Sequence, residues 1–260
     1  MSEAVLLHVN EGVAKITLNR PEKLNVLSNE IIAGLRDALQ EVKSNSAIRA
    51  VIITGNGKGF CAGGDITSFP KGYDNASVGR DYMKFGLPLI TDLAQLEKPV
   101  IAAVNGYAVG AGFSLALACD FVIATEQSSF AMVFNKIGLI PDLGGLYHLP
   151  RMVGMARAKE LVFSGRTISA KEAKKYGIVL DIVQNQELIT KAEELATSLG
   201  TKATQAIGLA KFMLNRSFES SLEQMLREEA LVQSVAFSTE DHDEGVRAFF
   251  EKRDPNFLGK

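Results

Sequence analysis

Asp142 is the one carboxylate between Glu126 and Glu160, and it stands in an apolar run, Ile140-Pro141-Asp142-Leu143-Gly144-Gly145. A carboxyl group in such surroundings can take a proton from carbon and return it. Its simpler role is to cap a helix beginning near Leu143, and the two roles are compatible. Upstream, Asn105 to Gly112 reads as a glycine-studded turn that opens a small-residue helix from Ala111 to Ala118. Amides at a helix start have no partner within the helix and sit at its positive end, so they can hold an oxygen that gains negative charge. A third segment, Phe60-Cys61-Ala62-Gly63-Gly64-Asp65-Ile66, puts small residues where a ligand could lie directly on the backbone, or where the chain makes a plain tight turn. Together these residues could move a proton beside an oxyanion held by main-chain N–H groups.

Other chemistries fail on spacing. Gly55-Asn56-Gly57-Lys58-Gly59-Phe60 follows a strand, but Phe60 replaces the third glycine of a dinucleotide fingerprint and no Gly-Lys-Ser/Thr ends a phosphate loop. Gly112-Phe113-Ser114-Leu115-Ala116 nearly matches a serine nucleophile elbow, yet its strand ends ten residues earlier, near Val104. Ser114 reads instead as a small helix residue facing a neighbour. Cys61 has no adjacent base and is expected to be a buried, structural thiol.

The elements that must position these groups alternate strand and helix. Val5 to Val9 and Val13 to Leu18 flank Asn10-Glu11-Gly12 as a hairpin. From Ser28, an N-cap, Ile31, Leu35, Leu39 and Val42 recur at helical spacing. Ala50 to Thr54 is a wholly apolar strand, and a helical pattern runs from near Asp81 to Lys98 with a kink or break at Gly86 and Pro88. Strands Val100 to Val104 and Phe121 to Ala124 bracket the small-residue helix, and strand-helix units recur at about 50 residues, from Ala50 and again from Pro99. Met155 to Ser164 is a helix ended by Gly165, and Ser169 to Glu172 fits a capping box. Helices over Glu187 to Leu199, Lys202 to Asn215, Ser221 to Phe237 and Glu240 to Glu251 complete the chain. We expect a catalytic core over residues 1–200 and a helical region over 201–260 whose apolar face needs a partner, most simply a second copy.

Composition bounds the rest. With 260 residues, 47% hydrophobic and 22% charged, the chain can bury a large core. A net charge of -2 and basic clusters no longer than pairs exclude a nucleic-acid or anionic-membrane binder, while leaving room for a small phosphorylated ligand. The N-terminus lacks the basic start of a secretory signal, and Asn105, the glycines and Ser114 interrupt the apolar stretch Val100 to Ala118. Two cysteines, Cys61 and Cys119, are too few for a disulfide framework or metal cluster, so a cytoplasmic location is expected.

Five segments in this order resemble the enoyl-CoA hydratase/isomerase (crotonase) family: Ile16 to Ser28, Gly57 to Ile66, Lys98 to Ala124, Phe134 to Gly145 and Glu244 to Phe257. The resemblance implies an α/β fold, a crotonase-like spiral of repeated β-β-α units with a helical C-terminal trimerisation region. It implies an acyl-CoA thioester substrate, a homotrimer or hexamer, and no metal or separate cofactor, coenzyme A being part of the substrate. By position it makes Ala62 and Ala111 the oxyanion-hole amides, the second being commonly glycine in the family. Lys23, Leu24, Val26, Gly64, Asp65 and Ile66 fall at its coenzyme A contacts, and Lys252 matches a basic position able to reach the phosphates, of a neighbouring subunit in one arrangement. Ser114 and Phe134 occupy the positions of the two hydratase glutamates, and Asp142 matches the aspartate of isomerases that resemble this chain.

The expected reaction is a double-bond isomerisation, 3-enoyl-CoA to 2-enoyl-CoA or a phenylacetyl-CoA-derived ring isomerisation, by a 1,3-proton shift through Asp142. A weak 2-enoyl-CoA hydratase and a non-catalytic acyl-CoA-binding scaffold are the alternatives. Burial among Met132, Phe134, Ile140 and Leu143 should raise the Asp142 pKa.

Overall fold

Alternating apolar residues in Val5–Asn10 (β1) and Val13–Leu18 (β2) pair antiparallel, joined by a turn in which Glu11 and Gly12 both take positive φ. The computed structural model describes residues 3–69 and 76–260. Asn29–Ser44 (α1) follows, and the Ser28 hydroxyl accepts the Ile31 N–H as its N-cap. Ile31, Leu35, Leu39 and Val42 are buried along one face of α1, each stabilising the fold by roughly 1.5–3 kcal/mol relative to exposure.

Three β-β-α units come next. Ala50–Gly55 (β3), Gly59–Cys61 (β4) and Ala76–Gln95 (α2) form the first. Val100–Val104 (β5), Tyr107–Val109 (β6) and Ala111–Leu117 (α3) form the second. Phe121–Thr125 (β7), Ser129–Ala131 (β8) and Gly145–Val153 (α4) form the third. The first strand of each unit joins one sheet and the second strand joins another. Met155–Ser164 (α5), Thr167–Ser169 (β9), Ala170–Lys175 (α6), Asp181–Val183 (β10) and Leu188–Gly200 (α7) complete the two layers. The larger sheet runs β1-β2-β3-β5-β7-β10 and the smaller β4-β6-β8-β9; between successive units all pairings are parallel. This is the crotonase-like spiral of β-β-α units expected from the sequence.

The main core lies between α1, the larger sheet and the smaller one, and a second cluster forms where Leu188, Ala192 and Ala196 of α7 cover the outer face of β3, β5 and β7. Thr204–Arg216 (α8), Leu222–Phe237 (α9) and Glu240–Glu251 (α10) follow. The buried Lys211 ammonium of α8 pairs with Asp120 at 2.8 Å, and Asp120 also accepts the Val100 N–H, which ties this helix to the start of β5. No residue of α9 is buried, and Leu222, Leu226, Leu231 and Val235 are exposed.

Two expectations are corrected and one is extended. The 50-residue spacing expected of the first two units holds from β3 to β5; a third unit, which the sequence reading did not count, starts 21 residues later, at Phe121. The turn assigned to Asn105 to Gly112 contains the strand β6. Helix α2, described from Ala76, continues through Gly86 and Pro88 as one element; Leu89 and Leu93, fully buried, anchor the turns beyond the proline and offset its missing N–H. No helix among the described residues is long and apolar enough to cross a membrane.

Candidate active site

Parallel pairing of β4 with β6 makes the two chains leave the smaller sheet side by side, as the loops Ala62 to Gly64 and Gly110 to Gly112. The loops interlock. A β-carbon on Gly112 would stand 2.7 Å from Cys61 Cβ, and one on Gly63 would stand 3.1 Å from the Val109 carbonyl. Gly110, with φ of 56°, is the N-cap of α3, so Ala111 opens the helix with an N–H that makes no hydrogen bond among the described residues. Cys61 is buried and its thiol is pushed up to about 12 by desolvation, in keeping with a structural role.

The first loop supplies a different amide from the one expected. The Ala62 N–H donates to the Leu24 carbonyl at 3.0 Å, so it is not free to hold a substrate oxygen. Two residues on, Gly64 bridges to Leu27, keeps its own N–H without an acceptor among the described residues, and lines the same cavity as Ala111. The free amides facing the cavity are therefore those of Gly64 and Ala111. Sequence reading missed this because Ala62 and Gly64 are both small loop residues, and only the tertiary contact to Leu24 separates them.

The loop carrying Leu24 is held by Asn25, a residue the sequence reading passed over. Asn25 is fully buried; its Oδ1 accepts the Arg20 N–H, and its Nδ2 donates to the carbonyls of Asn56 and Gly59. Leu24 and Asn25 both take positive φ, 50° and 55°, a conformation asparagine tolerates better than most residues. Lys23 and Ile66 are exposed beside this loop pair, Leu24 is at its edge and Val26 is half-buried. The Asp65 carboxylate accepts from the Thr67 hydroxyl and N–H, which hold its pKa below the ordinary value and stop the loop in a short 3-10 turn over Ile66–Ser68. Lys252 is exposed as the left-handed cap of α10 and does not line the cavity within this chain.

Asp142 arrives from the third unit. The Gly145 N–H donates to the Asp142 carbonyl at 2.8 Å, and Leu143 and Gly144 between them have φ of 45° and 77°. One such bond across two residues of positive φ is a type I′ turn. Gly144, not Asp142, is the N-cap of α4 and no side chain caps it, which removes the helix-capping role for Asp142. The Asp142 carboxyl lines the cavity with Ala111, Gly64 and Phe134, and its Oδ1 is buried without a hydrogen-bond partner. Desolvation pushes its pKa up to about 6, opposed only by its own backbone N–H.

Ser114 is fully buried on α3 and its Oγ also lacks a partner; a β-carbon on Gly145 would stand 2.5 Å from it. With no base at its hydroxyl and a place in the middle of a helix, it is no nucleophile. Phe134 is buried at the cavity wall, so neither it nor Ser114 brings a second carboxylate to Asp142. The far wall comes from α2 through Tyr82, Met83 and Phe85, and the Phe69 ring lies over Gly64, 3.0 Å from where its β-carbon would be. The arrangement is one proton-transfer group facing two main-chain donors in a largely apolar cleft.

Residues 8–260 match the enoyl-CoA hydratase/isomerase family profile. Over its full length the chain is 43% identical to the full-length 1,2-epoxyphenylacetyl-CoA isomerase of Escherichia coli. It is 36% identical to the crotonyl-CoA hydratase of Syntrophomonas wolfei, with 99% of each chain covered. Its fold superposes with a TM-score of 0.94 on the crystal structure of an enoyl-CoA hydratase/isomerase from Cupriavidus metallidurans, at 37% identity and covering 100% of this chain and 97% of the other.

Proposed function

Because this chain belongs to the enoyl-CoA hydratase/isomerase family, we propose that it is the isomerase kind of acyl-CoA enzyme, moving a double bond by a 1,3-proton shift. The observation that carries the reading is the half-buried carboxyl of Asp142, its Oδ1 enclosed and without a partner, which lines one cavity with the free amides of Gly64 and Ala111 and is the only carboxylate among the described residues to do so. The thioester oxygen of a 3-enoyl-CoA lies between the two N–H groups. Asp142, ionised, takes a proton from C2, and the electron pair passes through the thioester to the oxygen as a dienolate. The protonated carboxyl then gives the same proton to C4, which leaves the 2-enoyl-CoA and restores the carboxylate. Each main-chain donor in comparable sites is worth roughly 3 kcal/mol at the transition state. A pKa near 6 suits a group that must both accept and donate. Phe134 and Ser114, in place of carboxylates, leave water at C3 without a base.

The coenzyme A moiety lies along Lys23, Leu24, Val26, Gly64, Asp65 and Ile66, where the Asn25-braced loop and the loop after β4 run together. Lys252 serves a neighbouring subunit. The exposed apolar side chains of α9, with Phe249 and Phe250 of α10, are the surface on which copies of this chain assemble as a trimer or hexamer. The similarity to the 1,2-epoxyphenylacetyl-CoA isomerase supports extending the substrate range to a ring derived from phenylacetyl-CoA.

The test is a panel of linear 3-enoyl-CoAs and ring-bearing acyl-CoAs, run beside hydration of a short 2-enoyl-CoA. Isomerisation well above hydration is expected. Fast hydration would contradict the roles given to Ser114 and Phe134, and no turnover of any member would point to a binding scaffold.

A further inference from the structure

No neighbouring side chain among the described residues fixes the direction of the Asp142 carboxyl: Oδ1 has no partner, and the one group acting on the carboxyl is the residue's own backbone N–H. Its aim must come from the backbone, and the backbone there is unusual. A type I′ turn favours asparagine, aspartate or glycine at its first central position, yet this turn has Leu143, with φ of 45°. A leucine is tolerated in that conformation only where its side chain is held. Leu143 is buried, and its Cδ2 lies 3.2 Å from where a β-carbon on Gly86 would stand, with Ile32 Cδ1 at 3.8 Å on the same spot. Gly86 is thus a notch in α2 that receives the leucine. The rest of the turn is gripped too, by the His148 ring and Ile90 against Gly144, at 3.1 and 3.3 Å from its absent β-carbon.

We infer that Leu143 is a positioning residue, whose side chain, seated in the Gly86 notch, holds the Asp142–Gly145 turn in the form that points the Asp142 carboxyl into the cavity. The inference rests on the acid-base reading of Asp142. It also makes α2 a shared part of the site, because the helix that bears the notch contributes Tyr82, Met83 and Phe85 to the acyl wall.

The experiment compares Leu143→Ala, Leu143→Met, Gly86→Ala and Asp142→Asn for 3-enoyl-CoA turnover and for the Kd of butyryl-CoA, which binds but has no double bond to move. A misaimed carboxyl is expected to lower kcat about tenfold or more in Leu143→Ala and Gly86→Ala, a larger factor than any change in the butyryl-CoA Kd, since both residues also line the cavity. Leu143→Met, which refills the notch, should recover most of the rate. Because Gly86→Ala leaves Leu143 in place, it carries the test even if Leu143→Ala does not fold. If both variants that fold keep wild-type kcat, or lose kcat and butyryl-CoA affinity in parallel with no rescue by methionine, Leu143 is a packing residue only and the inference is overturned. An undiminished rate in Asp142→Asn overturns the acid-base reading itself, and the inference with it, and is recognisable as that separate failure.

Discussion

The carbonyl of Cys61 occupies the space that any side chain on Gly112 would need. The contact locks the loop after β4 against the first turn of α3, and so sets the separation of the Gly64 and Ala111 amides. Gly112→Ala forces backbone against backbone, which no rotamer change relieves. We expect it to lower turnover by about 100-fold or to prevent folding. Gly79→Ala, a substitution on α2 whose new methyl group meets none of the described residues, should keep full turnover and controls for the added methyl group. The measurement is kcat/KM with circular dichroism on each variant.

The pH dependence follows from burial of Asp142. With a pKa near 6, the ionised base is lost below that value, so kcat/KM should fall about tenfold per pH unit on the acid side. Stability has the opposite sign. Folding raises this pKa, so the folded state binds the proton more tightly; the stability it lends is full below the unfolded value and is lost as pH rises through about 6. Asp142→Asn should therefore raise the melting temperature more at pH 8 than at pH 4. A larger gain at pH 4 would contradict a desolvated carboxyl.

Asn25 braces the proposed coenzyme A loop from beneath, satisfying one half-buried N–H and two carbonyls. Asn25→Ala leaves those groups unpaired and should cost about 2–4 kcal/mol of stability, read from denaturant midpoints. In the folded fraction KM for acyl-CoA should rise while kcat changes little, since the loop binds and does not react. A fall in kcat at constant KM would place Asn25 in the chemistry instead.

Much of this architecture was legible in the sequence because its signals are local. The heptad-like run Ile31, Leu35, Leu39 and Val42, the Ser28 cap and the Ser169–Glu172 capping box each define a helix within a few residues. The acidic residue among apolar neighbours at Asp142 was legible for the same reason. What was not legible depends on contacts between distant segments. Strands β4, β6 and β8 have three residues each, too few to show alternation, so the smaller sheet that carries both donor loops was invisible. The choice of Gly64 over Ala62 is made by the Leu24 carbonyl, 38 residues upstream of Ala62. The left-handed Leu143 has no sequence signature, because leucine is not among the residues that such a turn prefers.

The most direct test of the account is the rate of 3-enoyl-CoA to 2-enoyl-CoA conversion by Asp142→Asn against the wild type, with butyryl-CoA affinity measured on both. The exchange keeps the shape of the side chain and removes its ability to take a proton. The account predicts a fall in kcat of about 10²–10⁴-fold with affinity within about twofold of wild type. Turnover by Asp142→Asn at the wild-type rate would contradict it, since among the described residues no other carboxylate lines the cavity with the two amides.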